Sequence, residues 1–248
     1  MQSVAQVVAR RPQLAALNMY KCKLTDEDMD VLRQAVVAQP ELELGLITLN
    51  LGSNRFGSPG LEMLAEMMQR MPHLRKLALR NCDVRPADLQ TMGPALVAAR
   101  VEELDLRMNK RLLDSGAKVL GELLHAGAPL QILDLQHIPL TEEGLYALLE
   151  GIEYNQTLVE LHLKDNNLDS EDADHLMARI VSHLAKNKTL TALRAQIAQL
   201  QTEAATQAPP ASSRSFVFRS CIYLFFMYFV VVVVVVGGKG GGGGGGGG

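Results

Sequence analysis

The sequence has no Trp and only three Cys, and most of its aromatic side chains sit in one short stretch. Seven of the 11 Phe and Tyr fall between Phe216 and Phe229, which leaves residues 1–213 with Tyr20, Phe56, Tyr146 and Tyr154 alone. Any core built by those residues must be aliphatic. Three Cys make no disulfide framework. Residues 1–20 lack the continuous apolar run of a secretory signal, so a cytoplasmic location is expected. Cationic charge is also short: residues 1–213 carry 21 Lys and Arg against 27 Asp and Glu, a net charge of −6. A sequence-independent nucleic-acid binder needs cations to displace counterions from phosphate, so nucleic acid is not an expected partner. Catalytic signatures are missing as well. There is no Gly-x-Ser-x-Gly elbow and no kinase motif. The segment Asn54–Gly60 lacks the Gly-Lys-Ser/Thr ending of a phosphate loop. None of the six His stands at metal-ligand spacing from a Cys or another His. No catalytic residue, metal or cofactor is expected.

What the chain does have is a repeat, Leu-x-x-Leu-x-Leu-x-x-(Asn or Cys)-x-Leu. It runs Leu14, Leu17, Met19, Cys22, Leu24, then Leu46, Leu49, Leu51, Asn54, Phe56, then Leu74, Leu77, Leu79, Cys82, Val84. It continues as Val101, Leu104, Leu106, Asn109, as Leu130, Leu133, Leu135, Ile138, Leu140, and as Leu158, Leu161, Leu163, Asn166, Leu168. A partial seventh copy begins at Leu190 and Leu193, and the steps between first anchors are 32, 28, 27, 29, 28 and 32 residues.

Each copy alternates with period two over Leu-x-Leu, which predicts a short strand with one buried face. The Asn or Cys falls where the chain turns, so Cys22, Asn54, Cys82, Asn109 and Asn166 form an expected structural ladder that satisfies buried backbone groups. A helix follows. Thr25, Ser58 and Thr141 stand ahead of acids or Pro, the pattern of an N-cap. The acid pairs Glu142–Glu143 and Glu171–Asp172 complement helix dipoles in first turns. Helical spacing links Leu61, Leu64 and Met68, and likewise Leu145, Leu148 and Ile152. Pro40, Pro72, Pro129, Asn155 and Asn187 are expected to end helices. One strand and one helix cannot bury their own apolar faces, so units must stack. Strands stack about 4.8 Å apart and helices about 8–10 Å apart, so the stack bends with its strands inside.

This pattern resembles the leucine-rich repeats of the ribonuclease-inhibitor type, over roughly residues 14–193. The predicted fold is an α/β solenoid, a horseshoe with a concave parallel sheet and convex helices, of about six repeats plus caps. Three departures stand out. Ile138 replaces the polar ladder residue of the fifth unit. The fourth unit reads one residue longer than its neighbours after Asn109. Pro94 lies inside the third helix, where it should kink or shorten it.

The expected domain spans residues 1–206, with repeats starting near 14, 46, 74, 101, 130 and 158. Val4 to Leu14 reads like the helix end at Leu32 to Leu42, so either one helix caps the stack or the chain is a fragment of a longer protein. Leu193 to Thr206 is a polar helix candidate for the other cap. Residues 207–215 read as a linker rich in Pro, Ala and Ser. In 216–248, Cys221–Val236 gives 16 uninterrupted apolar residues ending in seven Val, followed by a Gly run. Phe216–Val236 is long enough for a C-terminal membrane anchor. The alternative is an unselected extension translated from simple-repeat DNA.

Cys22 and Cys82 lie two units apart, roughly 10 Å, too far for a disulfide. The remaining surface is the concave face. Its first outward column is Ala16, Thr48, Lys76, Glu103, Ile132, Glu160. The second is Asn18, Asn50, Ala78, Asp105, Asp134, His162, and the third is Tyr20, Gly52, Arg80, Arg107, Gln136, Lys164. This is either a solvated face of mixed charge or a docking surface for another protein from about Lys76 to Lys164. The docking residues would be Lys76, Arg80, Glu103, Asp105, Arg107, Asp134, Gln136, Glu160, His162 and Lys164. The resemblance implies a non-catalytic scaffold that binds a protein on this face. Because one branch of the repeat type activates the Ran GTPase, a regulator of a small GTPase is the alternative, although no Asp or Glu follows Glu203 to make the acidic tail of that branch. A membrane-tethered adaptor held by the apolar tail is the third reading.

Overall fold

The structure, a computed structural model, describes residues 10–38 and 43–206 together with residues 5, 6 and 8. The linker and tail, including Cys221 and the apolar segment, lie outside the described residues, as does Pro40. The chain divides into two compact units, Met1–Ala195 and Gln196–Gly248. In the second, the described residues are helical, with Gln199 donating to the Glu203 carboxylate at 3.0 Å.

The first unit contains six strands, β1 (Ala16–Asn18), β2 (Thr48–Asn50), β3 (Lys76–Ala78), β4 (Glu103–Asp105), β5 (Ile132–Asp134) and β6 (Glu160–His162). They form one parallel sheet in chain order. Between them run α1 (Asp26–Val37), α2 (Ser58–Met68), α3 (Pro86–Ala99), α4 (Leu113–His125) and α5 (Glu142–Tyr154), and α6 (Glu171–Thr206) follows β6. The register aligns Ala16, Thr48, Lys76, Glu103, Ile132 and Glu160, and one step on Leu17, Leu49, Leu77, Leu104, Leu133 and Leu161. The latter row points inward, and the four central leucines are at most 3% exposed. Adjacent rows of Leu46, Leu74 and Leu130 and of Leu51, Leu79, Leu106 and Leu135 are equally buried. The core is a stack of aliphatic layers, and among the described residues Phe56 is the one aromatic buried in it.

Backbone pairing continues past the strands. Leu79 donates to Asp105 and Leu106 to Asp134, both at 2.9 Å, and two residues on Asn81 donates to Arg107 and Met108 to Gln136 at 2.8 and 3.0 Å. The turn that follows needs a left-handed residue in every unit: Lys21, Ser53, Asn81, Met108, His137 and Asp165, with φ between 54° and 62°. None is Gly, although L-residues are sterically disfavoured there. The hydrogen bonds on both sides of the turn hold them.

Helix starts are fixed between units as well as within them. Thr25 and Asp28 form a capping box at α1. Asp26 then reaches forward and accepts from the N–H groups of Gly57 and Gly60 at 2.8 and 2.9 Å. Gly57, not Ser58, is therefore the N-cap of α2, and its cap comes from the unit before. Asp114 does the same for Thr141, whose N–H and hydroxyl both donate to it at 2.8 Å. The Ser170 hydroxyl hydrogen-bonds Glu142. Helices α4 and α5 touch backbone to backbone: a Cβ on Gly121 would overlap the Ala147 carbonyl, and one on Gly151 would overlap Gly121.

Four expectations are corrected. Pro94 does not shorten α3, which runs 14 residues. Pro94 and Gln90 lie on the exposed side, where the freed Gln90 carbonyl is open to solvent. The turn of the fourth unit is not longer: its helix starts four residues after the ladder residue, as in units one to three and five, and the extra residue falls after the helix. Its buried anchor has moved one place to Leu112. Asn187 does not end a helix, and Leu190 and Leu193 begin no seventh strand. All three lie within the 36-residue α6, which has no Gly or Pro to break it. Its Leu176, Met177, Ile180 and Leu184 pack on the core, closing the sixth unit. At the other end Ala5 and Val8 are helical and buried, and Val8 lines the same interior as Leu17, Met29 and Leu32. Among the described residues no helix is long and apolar enough to cross a membrane.

Candidate functional site

The ladder asparagines bind backbone groups of their own turn and of the turn before. Asn109, 0% exposed, donates to the carbonyls of Leu79 and Leu106 at 2.9 and 2.8 Å and accepts from the N–H groups of Cys82 and Val84. Asn54 donates to Met19 and Leu51 and accepts from Leu24. Asn166 donates to Leu135 and Leu163, but its buried Oδ1 has no partner. The cause is the fifth unit. Leu140 N–H, the counterpart of Val84 N–H, turns back to the Ile138 carbonyl at 2.8 Å. Two further Asn act as plugs that the repeat pattern did not mark. Asn155 bridges Leu124, Ala128 and Leu158, and Asn187 reaches from α6 to the carbonyls of Asn155 and Leu158.

The two Cys of the ladder differ. Cys82 is 1% exposed, and burial pushes its thiol pKa up. Cys22 is exposed, in the turn after β1. With Cys221 replaced by Ser, an aromatic disulfide reagent is expected to modify one thiol at once and the second only after denaturation. Two fast thiols in the native protein would contradict the burial of Cys82.

The outward columns project from this frame. Lys76 pairs with Glu103 at 2.6 Å. Arg107 pairs with Asp105 at 2.7 Å and with Asp134 at 3.2 Å, and these carboxylates hold its pKa above the ordinary arginine value, Asp105 foremost. Gln136 donates to Asp134 at 3.2 Å, and His162 lies 3.5 Å from Glu160. The acids of the second column also brace the backbone. Asp105 and Asp134 accept from the N–H groups of Arg107 and Gln136, as Asn18 and Asn50 do for Tyr20 and Gly52. Most of the charge on the face is thus matched within it. Arg80 is an exception, its guanidinium resting on the Met108 sulfur at 3.1 Å. Lys164 is exposed, with no carboxylate within ion-pair distance among the described residues. Tyr20, 37% exposed, lies across Gly52, which has no side chain to displace it. The Ser53 hydroxyl holds the Tyr20 phenol below the usual tyrosine range, and Lys21 and Arg80 add to this. No group of three or more His, Cys, Asp or Glu among the described residues is placed to hold a metal ion.

Six parallel strands in one open sheet, each followed by a helix, with an Asn or Cys at the turn of every unit but the fifth, define a leucine-rich-repeat solenoid. The chain carries leucine-rich repeats similar to those of the ribonuclease-inhibitor type. The family model described as Leucine Rich repeat matches residues 46–65 and 154–177. The ribonuclease inhibitor of Sus scrofa is 29% identical over 181 residues, which is 72% of this chain and 39% of the relative. NACHT, LRR and PYD domains-containing protein 12 of Mus musculus is 33% identical over 63% of this chain and 15% of its own length. The centrosomal protein of 78 kDa of Mus musculus is 27% identical over 72% of this chain and 21% of its own. The chain therefore spans between 15% and 39% of the length of these relatives.

Proposed function

We propose that the chain is a non-catalytic protein-interaction scaffold that docks a partner protein on the exposed face of its strands, between about Lys76 and Lys164. The observation that carries this is the register. Three columns of outward side chains stand on a backbone whose hydrogen bonds run from strand to strand, so their spacing is set before any partner arrives. Preorganised side chains lose little entropy on binding. The intramolecular pairs Lys76–Glu103 and Arg107–Asp134 fix the orientation of the charges a partner would meet. The kinship with an inhibitor, a protein named for acting on another protein, supports the same reading.

Retention of a partner by the immobilised full chain is the test. Proteins held by the wild type should be held at least tenfold less by Glu103→Lys and by Lys164→Glu, and equally well by Glu122→Lys on the helical side. Equal retention by all variants would overturn the reading. So would stimulation of GTP hydrolysis by an added small GTPase that disappears with Arg107→Ala.

A further inference from the structure

The charge on this body is sharply segregated. In the four segments that lead from β1–β4 to their helices, residues 19–25, 51–57, 79–85 and 107–112, eight Lys and Arg face a single acid, Asp83. Residues 1–213 as a whole carry a net charge of −6, so this edge of the sheet is a cationic rim on an acidic protein. Asp83 is shared by Arg85 and Arg111, at 3.6 and 3.3 Å, and Arg107 is occupied by Asp105 and Asp134. Among the described residues, Lys21, Lys23, Arg55, Arg80 and Lys110 have no carboxylate within ion-pair distance. Lys21 sits 5.2 Å over the Tyr20 ring instead, and Arg80 has only the weak acceptor of the Met108 sulfur. The left-handed turn after each strand places these segments at equivalent points of successive units, so the rim is continuous.

We infer that this strand-exit rim of the first four units is the docking site of a short acidic protein segment, with Tyr20 and Arg80 as its anchor. Tyr and Arg are the residue types that dominate binding energy in protein interfaces, and here both border Gly52: the Tyr20 ring and the Arg80 carbonyl lie 3.1 and 3.2 Å from where a Cβ on it would stand. Four strands span about 14 Å, the length of roughly four to five residues of extended peptide. A short acidic segment fits that length. A nucleic-acid backbone would extend beyond it towards Asp134 and Glu160, so a protein segment is favoured over a polynucleotide.

The inference rests on the scaffold reading and can fail separately from it. The probe is fluorescein-labelled hexaglutamate, titrated by anisotropy into the full chain at low and physiological salt. Saturable binding is expected, weakening about tenfold or more with salt. Arg80→Gln should weaken it at least fivefold and Lys21→Gln/Lys110→Gln similarly, with thermal melts unchanged. Lys186→Gln/Lys188→Gln on α6 should leave it as in the wild type. Hexalysine binding as well as hexaglutamate, or rim variants binding like the wild type, would overturn the rim as the site. Displacement of the peptide by a six-nucleotide oligothymidylate of higher affinity would overturn the assignment to a protein segment. If the rim fails while Glu103→Lys still loses a retained partner, the scaffold reading stands and the rim alone falls.

Discussion

Leu106→Asp is expected to abolish the cooperative thermal transition of the repeat body. Leu106 is 0% exposed and lies in a buried row between Leu79 and Leu135. Its N–H is already committed to the Asp134 carbonyl. A carboxylate there has no cation within the layer, and burying an unpaired charge costs several kcal/mol after the group adjusts its pKa. A domain is stable by about 5–15 kcal/mol in total. Each unit of a solenoid contacts only its neighbours, so the damage at the fourth unit separates the two halves of the stack. Leu106→Ala is the graded control, expected to cost about 2–5 kcal/mol and keep a cooperative melt. A wild-type melting curve for Leu106→Asp would mean that the strand faces the other way.

The second large effect is expected from the ladder, and its order is the informative part. Asn109→Ala removes four hydrogen bonds and strands two N–H groups and two carbonyls in the core. Leaving a buried donor or acceptor unpaired costs about 1–3 kcal/mol each, so a loss of about 4 kcal/mol is expected even with partial relaxation. Asn54→Ala loses three bonds and should cost less. Asn166→Ala loses two, and it also removes an Oδ1 that has no partner now, so its cost should be smallest. Denaturant titration of the three variants checks the order. An Asn166→Ala as damaging as Asn109→Ala would show that the fifth turn accepts from Asn166 after all.

The sequence shows most of this frame because the information is local and periodic. The Leu-x-Leu alternation marks each strand, and the constant offset to Asn or Cys marks each turn. The outward columns follow from counting alone, and the register matches them. Other features depend on which unit lies next in space. Asp26 capping Gly57 and Asp114 capping Thr141 join residues 31 and 27 positions apart. No local motif marks them. The left-handed residues share a position but not a residue type, so Lys21, Met108 and His137 carry no signature. Leu190 and Leu193 mislead for a definite reason: a step of three residues belongs both to Leu-x-x-Leu and to one face of a helix, and with no Gly or Pro nearby the helix continues. The face itself is legible as positions. Its pairing is not, since Arg107 turning to Asp134 rather than to solvent is a matter of rotamer and distance.

The rim and the concave columns share one frame, because the third column is both the last row of the face and the start of the rim. Arg80 and Arg107 belong to both. A partner whose acidic segment lies along the rim would bring the rest of its surface over Glu103, Asp134 and Gln136, which links the two proposals in one docking geometry.

Photo-crosslinking in the cell tests that docking most directly. A photoreactive residue placed at Gln136, at Lys110, at Glu122 or at Lys118 samples the face, the rim and, for the last two, the helical side. The account predicts a discrete adduct of one size at Gln136 and at Lys110 and none at Glu122 or Lys118. Adducts of equal yield at all four positions, or adducts on the helical side alone, would contradict it.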